Sequence, residues 1–160
     1  MDAVEKIIQQ WQTQRPDLEL GPMLTIGRLK RCAALVGQQL EREFALHELT
    51  TWEFDVLATL RRAGTPYCLT PTQLFGAMMI TSGTMTHRLQ RLEKRGLVER
   101  VDNPEDARSK QVRLSEQGLK CIESAVTGHV ANEAHILAGL SDAQLCALDS
   151  ALASLLGELE

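Results

Sequence analysis

Apolar side chains recur along this chain at helical spacing, and the pattern is sharpest between residues 81 and 96. At 100° per residue, Met85, Leu89 and Leu92 fall within about 60° of one another. Gly83, His87, Gln90, Arg91 and Lys94 lie roughly opposite. The pattern predicts a helix with one face for burial and another rich in amide, imidazole, guanidinium and ammonium donors. Such donors suit base edges and phosphates in a DNA groove. Residues 97–101 and 111–114 then read as two short strands, joined by a Pro- and charge-bearing loop over 102–110.

Helix starts are legible elsewhere. Thr50 and Glu53 form a capping-box pair, with Leu49 and Phe54 as a hydrophobic staple. Thr70 and Gln73 repeat the box, with Pro71 at the first helical position, where its missing N–H costs nothing. Thr81, Ser115 and Ser141 mark three further starts, and Gly64 and Gly96 stand where helix C-terminal caps are expected. The predicted order is a short helix over 2–13, helices near 21–47, 51–63, 71–78 and 82–95, two strands, a long helix over 116–138 and a last one over 142–158. Only residues 79–81 join the helices near 71–78 and 82–95, so the two must meet at a sharp angle, as in a helix-turn-helix. With the strand pair behind it, this is a mainly α fold: a winged helix-turn-helix with a two-stranded wing.

Charge sharpens the picture. The chain of 160 residues carries a net charge of −4, which by itself argues against nucleic acid. Its distribution does not: residues 1–79 sum to −1, residues 80–113 to +3 and residues 114–160 to −6. Screening over about 8–10 Å makes the local charge count most. The four cysteines, Cys32, Cys68, Cys121 and Cys146, form no C-x-x-C pair and fit neither a zinc knuckle nor a disulfide framework; buried small apolar groups are the expectation. No run approaches 18 apolar residues, and the N-terminal stretch lacks an apolar secretion core, so a cytoplasmic protein is expected.

The two ends carry apolar stripes of another kind. Met23, Ile26, Leu29, Leu35, Val36 and Leu40 make one; Leu137, Leu140, Leu145, Leu148, Leu152, Leu155 and Leu156 make the other. A small winged helix has little surface to bury both, which predicts a homodimer, with an intramolecular bundle as the alternative. Three regions are expected: an N-terminal extension and first dimerisation helix over 1–48, the DNA-binding region over 49–114, and C-terminal dimerisation helices over 115–160.

Taken together, the run Phe54-Asp55-Val56-Leu57-Ala58-Thr59-Leu60, the box Leu69-Thr70-Pro71-Thr72-Gln73-Leu74, residues 81–89 and 91–100, Asp106-Ala107-Arg108, and Val112 to Ser115 with Gly118 resemble the MarR family of transcriptional regulators. The resemblance covers residue 21 to the C-terminus. It implies a regulator, most simply a repressor, that binds a pseudo-palindromic operator as a homodimer. In the family the wing Arg enters the minor groove, which here implies Arg108, with Asp106 bracing the wing; minor-groove insertion suits shape readout of A·T-rich DNA. Arg91 and Lys94 are the expected contacts to phosphate or guanine, Thr84, Thr86, His87 and Gln90 the candidates for base edges or backbone, and Lys110 a further wing contact. A narrower likeness, to the urate-responsive branch, implies that Trp11, Asp55, Arg88 and Arg100 hold an anionic aromatic effector such as urate, by stacking and charge-assisted hydrogen bonds.

Other chemistry finds little support. His129 and Glu133 are one helical turn apart, but His135 points elsewhere and no Cys adjoins, so a solvated helix face rather than a metal site is expected. His47, near a helix end, reads as a carbonyl cap. No nucleophile motif or Gly-rich phosphate loop occurs, so neither an enzyme nor a cofactor is expected. Two alternatives stay open: the same regulator switched by cysteine oxidation, and a helical protein-interaction adaptor without DNA affinity.

Overall fold

A computed structural model of the chain describes residues 1–78 and 85–160, which divide into two compact units, Met1–Leu40 and Glu41–Glu160. Among the described residues there are seven helices and three strands: α1 (Ala3–Gln14), α2 (Gly21–Leu46), α3 (Thr51–Arg62), β1 (Cys68–Leu69), α4 (Pro71–Ala77), α5 (Met85–Lys94), β2 (Val98–Asn103), β3 (Asp106–Leu114), α6 (Glu116–Leu137) and α7 (Asp142–Leu159). The expected helix start at Thr81 and the turn at 79–81 lie outside the described residues.

In the first unit, Asp2 caps α1 in a box with Glu5, and both carboxylates pair with Arg28 of α2. Ile8 and Leu20 are buried there, while Met23, Ile26, Leu29 and Leu35 of α2 stay exposed.

The second unit is built on local signals that the residues impose directly. Thr50, Thr70 and Ser141 each accept a hydrogen bond from the N–H three residues on, and the side-chain oxygens of Glu53, Gln73 and Gln144 accept one from the cap N–H in turn. Each pairing satisfies two helix-end N–H groups that would otherwise lack a partner. Gly96 stops α5 at φ 70°, a conformation that glycine adopts without strain. Behind these caps the apolar faces meet: Val56, Leu57 and Leu60 of α3, Leu74 of α4, Leu92 of α5, Val112 of β3 and Ile122 of α6 are fully buried. At about 1.5–3 kcal/mol per buried side chain, this cluster is what fixes α5 on its support.

The sheet has three strands in the order β1-β3-β2, all antiparallel, where two were expected. Cys68 and Leu69 pair with Arg113 and Val112, tying the connection between α3 and α4 to the wing. The wing strands also run further than expected. Asp102 faces Lys110 as an ion pair and Asn103 faces Asp106, leaving Pro104 and Glu105 at the turn instead of a loop over 102–110. The tip is closed by buried Asn103, whose Nδ2 donates to Ser109 Oγ at 2.8 Å and whose Oδ1 accepts from Glu105 N at 3.1 Å.

Helix α7 has no buried residue; Leu148, Leu152, Leu155, Leu156 and Leu159 are exposed along it. No single described helix is long and apolar enough to cross a membrane.

Candidate nucleic-acid interface and effector residues

Helix α5 carries two faces as its periodicity requires. Leu89 and Leu92 are 1% and 0% exposed, whereas His87, Arg88, Gln90, Arg91 and Lys94 are all exposed. Thr84 and the side chain of Thr86 lie outside the described residues. The exposed face therefore offers imidazole, amide, ammonium and guanidinium donors together, the set that reads base edges and binds phosphates.

The wing adds a second cationic point. Arg108 is exposed, and its backbone N–H donates to Asp106 Oδ1 at 3.0 Å, so Asp106 shapes the backbone from which Arg108 projects. Lys110, also exposed, is paired with Asp102.

The four proposed effector residues have different surroundings. Asp55 is half-buried on α3. Burial raises its carboxyl above the ordinary range, and the nearby Arg62 guanidinium only partly offsets that. The Arg88 guanidinium lies 5.3 Å over the Trp52 ring, within cation–π range. Arg100 Nε lies 2.9 Å from Glu93 Oε1. Trp11 is 44% exposed on α1, in the other unit, beside Gln10 and Gln14. The structure thus gives Asp55, Arg88 and Arg100 different neighbours: Arg62 and His129, Trp52, and Glu93.

What it does gather was not foreseen. A cavity of about 260 Å³ is lined by Thr50, Trp52, Glu53, Arg88 and Arg91. The Trp52 Nε1 beside it is buried and has no hydrogen-bond partner among the described residues. Glu53, read from the sequence only as a capping residue, is almost wholly buried and faces two arginines, Arg95 Nη1 at 2.9 Å and Arg91 Nε at 3.4 Å. Burial would push its carboxyl up, but the Thr50 backbone N–H and the Arg95 guanidinium outweigh that and hold it below the ordinary range.

His129 corrects an expectation. Its ring is not on a solvated face; it packs against Phe54 at 4.8 Å and Phe44 at 5.2 Å, which are themselves stacked at 4.1 Å. Its Nε2 lies 3.2 Å from Glu133 Oε1, and its Nδ1 is buried without a hydrogen-bond partner among the described residues. His47 likewise sits 3.8 Å from Glu43 Oε1 in an i, i+4 pair rather than capping carbonyls. The cysteines split. Cys32 and Cys146 are exposed, contrary to expectation, while burial pushes the half-buried Cys68 and Cys121 thiols up, away from the reactive thiolate.

Comparison with known proteins agrees with this architecture. The sequence model of the MarR family matches residues 49–110. The HTH-type transcriptional regulator PecS of Dickeya dadantii is 41% identical over 157 residues, 98% of this chain and 92% of PecS. Among solved structures, AbsC, a MarR family transcriptional regulator of Streptomyces coelicolor, superposes with a TM-score of 0.78 at 24% identity, covering 89% of this chain and 96% of AbsC. A mutant MarR of Escherichia coli in complex with operator DNA gives a TM-score of 0.68 at 24% identity, covering 91% of this chain and 97% of that one.

Proposed function

This chain belongs to the MarR family of DNA-binding transcriptional regulators, and from that premise we propose that it is a homodimeric repressor released from a pseudo-palindromic operator by a small anionic aromatic ligand such as urate. Membership sets aside the adaptor without DNA affinity. The observation that carries the proposal is the face of α5: His87, Gln90, Arg91 and Lys94 are exposed, opposite two leucines locked in the core. Arg108 on the wing extends that surface. In this reading α5 enters the major groove and Arg108 the adjacent minor groove.

The uncovered leucines of α7 and the apolar stripe of α2 support the dimer. Faces of this kind bury themselves against a second copy when no other part of the chain covers them. A dimer places two α5 helices on one face of the duplex, about 34–36 Å apart.

Effector control is supported by the position of two arginines. Arg88 is on α5 and Arg100 on the strand after it, so a ligand that draws either from its present partner, Trp52 or Glu93, acts directly on the reader. A coupling of about 1–3 kcal/mol between ligand and operator is enough to lift repression. Oxidative control would fall to Cys32 and Cys146, the exposed thiols.

One titration series tests the scheme. Duplexes recovered by the protein from a randomised pool are bound at fixed salt and challenged with urate, using the wild type and Arg88→Ala. The variant should keep most of its operator affinity and lose most of its response to urate. Loss of operator affinity instead would make Arg88 a DNA contact, and sedimentation as a single chain at binding concentrations would refute the dimer.

A further inference from the structure

The second role of Glu53 lies in how α5 is held. One carboxylate oxygen, Oε2, completes the cap of α3 by accepting from Thr50 N at 2.9 Å and Thr50 Oγ1 at 3.1 Å. The other, Oε1, points away from that box toward the reader. It faces two guanidinium groups, Arg95 Nη1 at 2.9 Å and Arg91 Nε at 3.4 Å. The two arginines are not equivalent. Arg95 is 28% exposed and also donates to the Glu48 carbonyl at 2.8 Å, so it is fixed at both ends. Arg91 is 68% exposed, on the DNA-facing side of α5, and its contact with Glu53 is the longer of the two at 3.4 Å.

We infer that Glu53 is a positioning residue for DNA recognition: it anchors the end of α5 through Arg95 and keeps Arg91 tethered until a DNA phosphate displaces the carboxylate. The inference rests on α5 being the reader. A buried carboxylate facing an exposed guanidinium makes indiscriminate binding costly, because Arg91 leaves Glu53 only for a phosphate placed where the anchored helix can reach it. On the wrong duplex the ion pair stays closed, and that cation contributes little to non-specific binding.

The chain itself supplies the variant. Gln73 and Gln144 occupy the same position in the first turn of α4 and α7, so Glu53→Gln keeps the cap and takes the negative charge away from the two arginines. Affinities are measured for an operator duplex recovered by the wild type from a randomised pool and for a random-sequence duplex, across a salt series. In E53Q, Arg91 is released to any phosphate while the Arg95 anchor loosens. Random-duplex affinity should rise, operator affinity should not, and the ratio of the two should fall about tenfold. In an Arg91→Ala background the rise should disappear.

A rise that persists without Arg91 is a general charge effect and overturns the inference, as does an unchanged ratio in E53Q. Arg95→Met, which leaves the capping box whole, must also lower the ratio by weakening operator binding; an unchanged ratio there refutes the anchor even if E53Q does not fold. Should Arg91→Ala alone leave both affinities at wild-type levels, the reading of α5 as the DNA face fails, separately from the role of Glu53.

Discussion

Gly118, in the first turn of α6, offers the sharpest test of how the reader is fixed to the rest of the second unit. A Cβ built there would lie 2.9 Å from the Leu97 carbonyl carbon and 3.3 Å from its Cα, and closer still to its oxygen. The obstacle is backbone, held by Ser115 N, which donates to the same Leu97 carbonyl at 3.1 Å, and by Ser115 Oγ, which donates to Gly96 O at 2.6 Å. No side-chain rotation relieves the clash, so Gly118→Ala must separate α6 from the 96–97 turn by about 1 Å. Overpacking of this kind costs about 3 kcal/mol, and the better helix propensity of Ala returns about 1 kcal/mol. The net loss of about 2 kcal/mol corresponds to a melting temperature lower by about 4–8 °C in a chain of this size. Gly76 of α4, exposed and with nothing within 4 Å of its Cβ position, is the internal control: Gly76→Ala should gain stability from propensity alone. Thermal and denaturant unfolding of both variants decides the matter. A Gly118→Ala protein as stable as the wild type would show that α6 does not approach Leu97 this closely.

Two other outcomes are expected. Replacing Arg108 by Ala should reduce the slope of log affinity against log salt by about one, the contribution of one lost phosphate-neutralising charge, and an unchanged slope in a gel-shift series would remove Arg108 from the interface. Asp55→Asn should stabilise the protein at pH 7. Because burial lifts the Asp55 carboxyl above its ordinary 3.8, its favourable contribution is complete only below that value and is lost as pH rises through the folded-state pKa. At neutral pH the ionised form is therefore a cost, and D55N should melt higher than the wild type at pH 7, the advantage closing toward pH 4. An equal gap at both pH values would mean that the carboxyl is not destabilised by burial.

Those features of the fold that depend on near neighbours were legible in the sequence. The capping boxes at Thr50, Thr70 and Ser141 depend on residues three apart, and the helices they open begin at 51, 71 and 142 as expected. Leu89 and Leu92 follow from helical periodicity alone. What depends on distant partners was not legible. The two-residue β1 is too short to show alternation, and it exists because Val112 and Arg113 stand opposite it. The charged run 102–110 reads as loop, yet cross-strand pairing of Asp102 with Lys110 extends the strands through it. His129 looked solvated because the rings that enclose it, Phe44 and Phe54, come from α2 and α3. The same limit applies to Asp55, Arg88 and Arg100, since spacing along the chain does not say which side chain each one meets.

The contacts made by the end of α5 suggest how a regulator of this design is coupled to its scaffold. On one side Arg95 ties the residue after α5 to Glu53 of α3 and to the Glu48 carbonyl. On the other, Gly96 and Leu97 offer their carbonyls to Ser115 at the start of α6, against which Gly118 allows close approach. Both grips hold the same short stretch, residues 95–97, where the reader passes into the wing. A shift of α6 relative to α3 therefore cannot be absorbed locally and must rotate or displace α5 together with β2. Arg100 lies on β2 and pairs with Glu93 of α5, so it crosses that junction as well. Under the proposed function, a ligand competing for Arg100 would loosen the link between reader and wing, while a change between α3 and α6 would move both as one body; the two inputs predict different operator phenotypes, loss of wing contacts alone in the first case and loss of half-site spacing in the second.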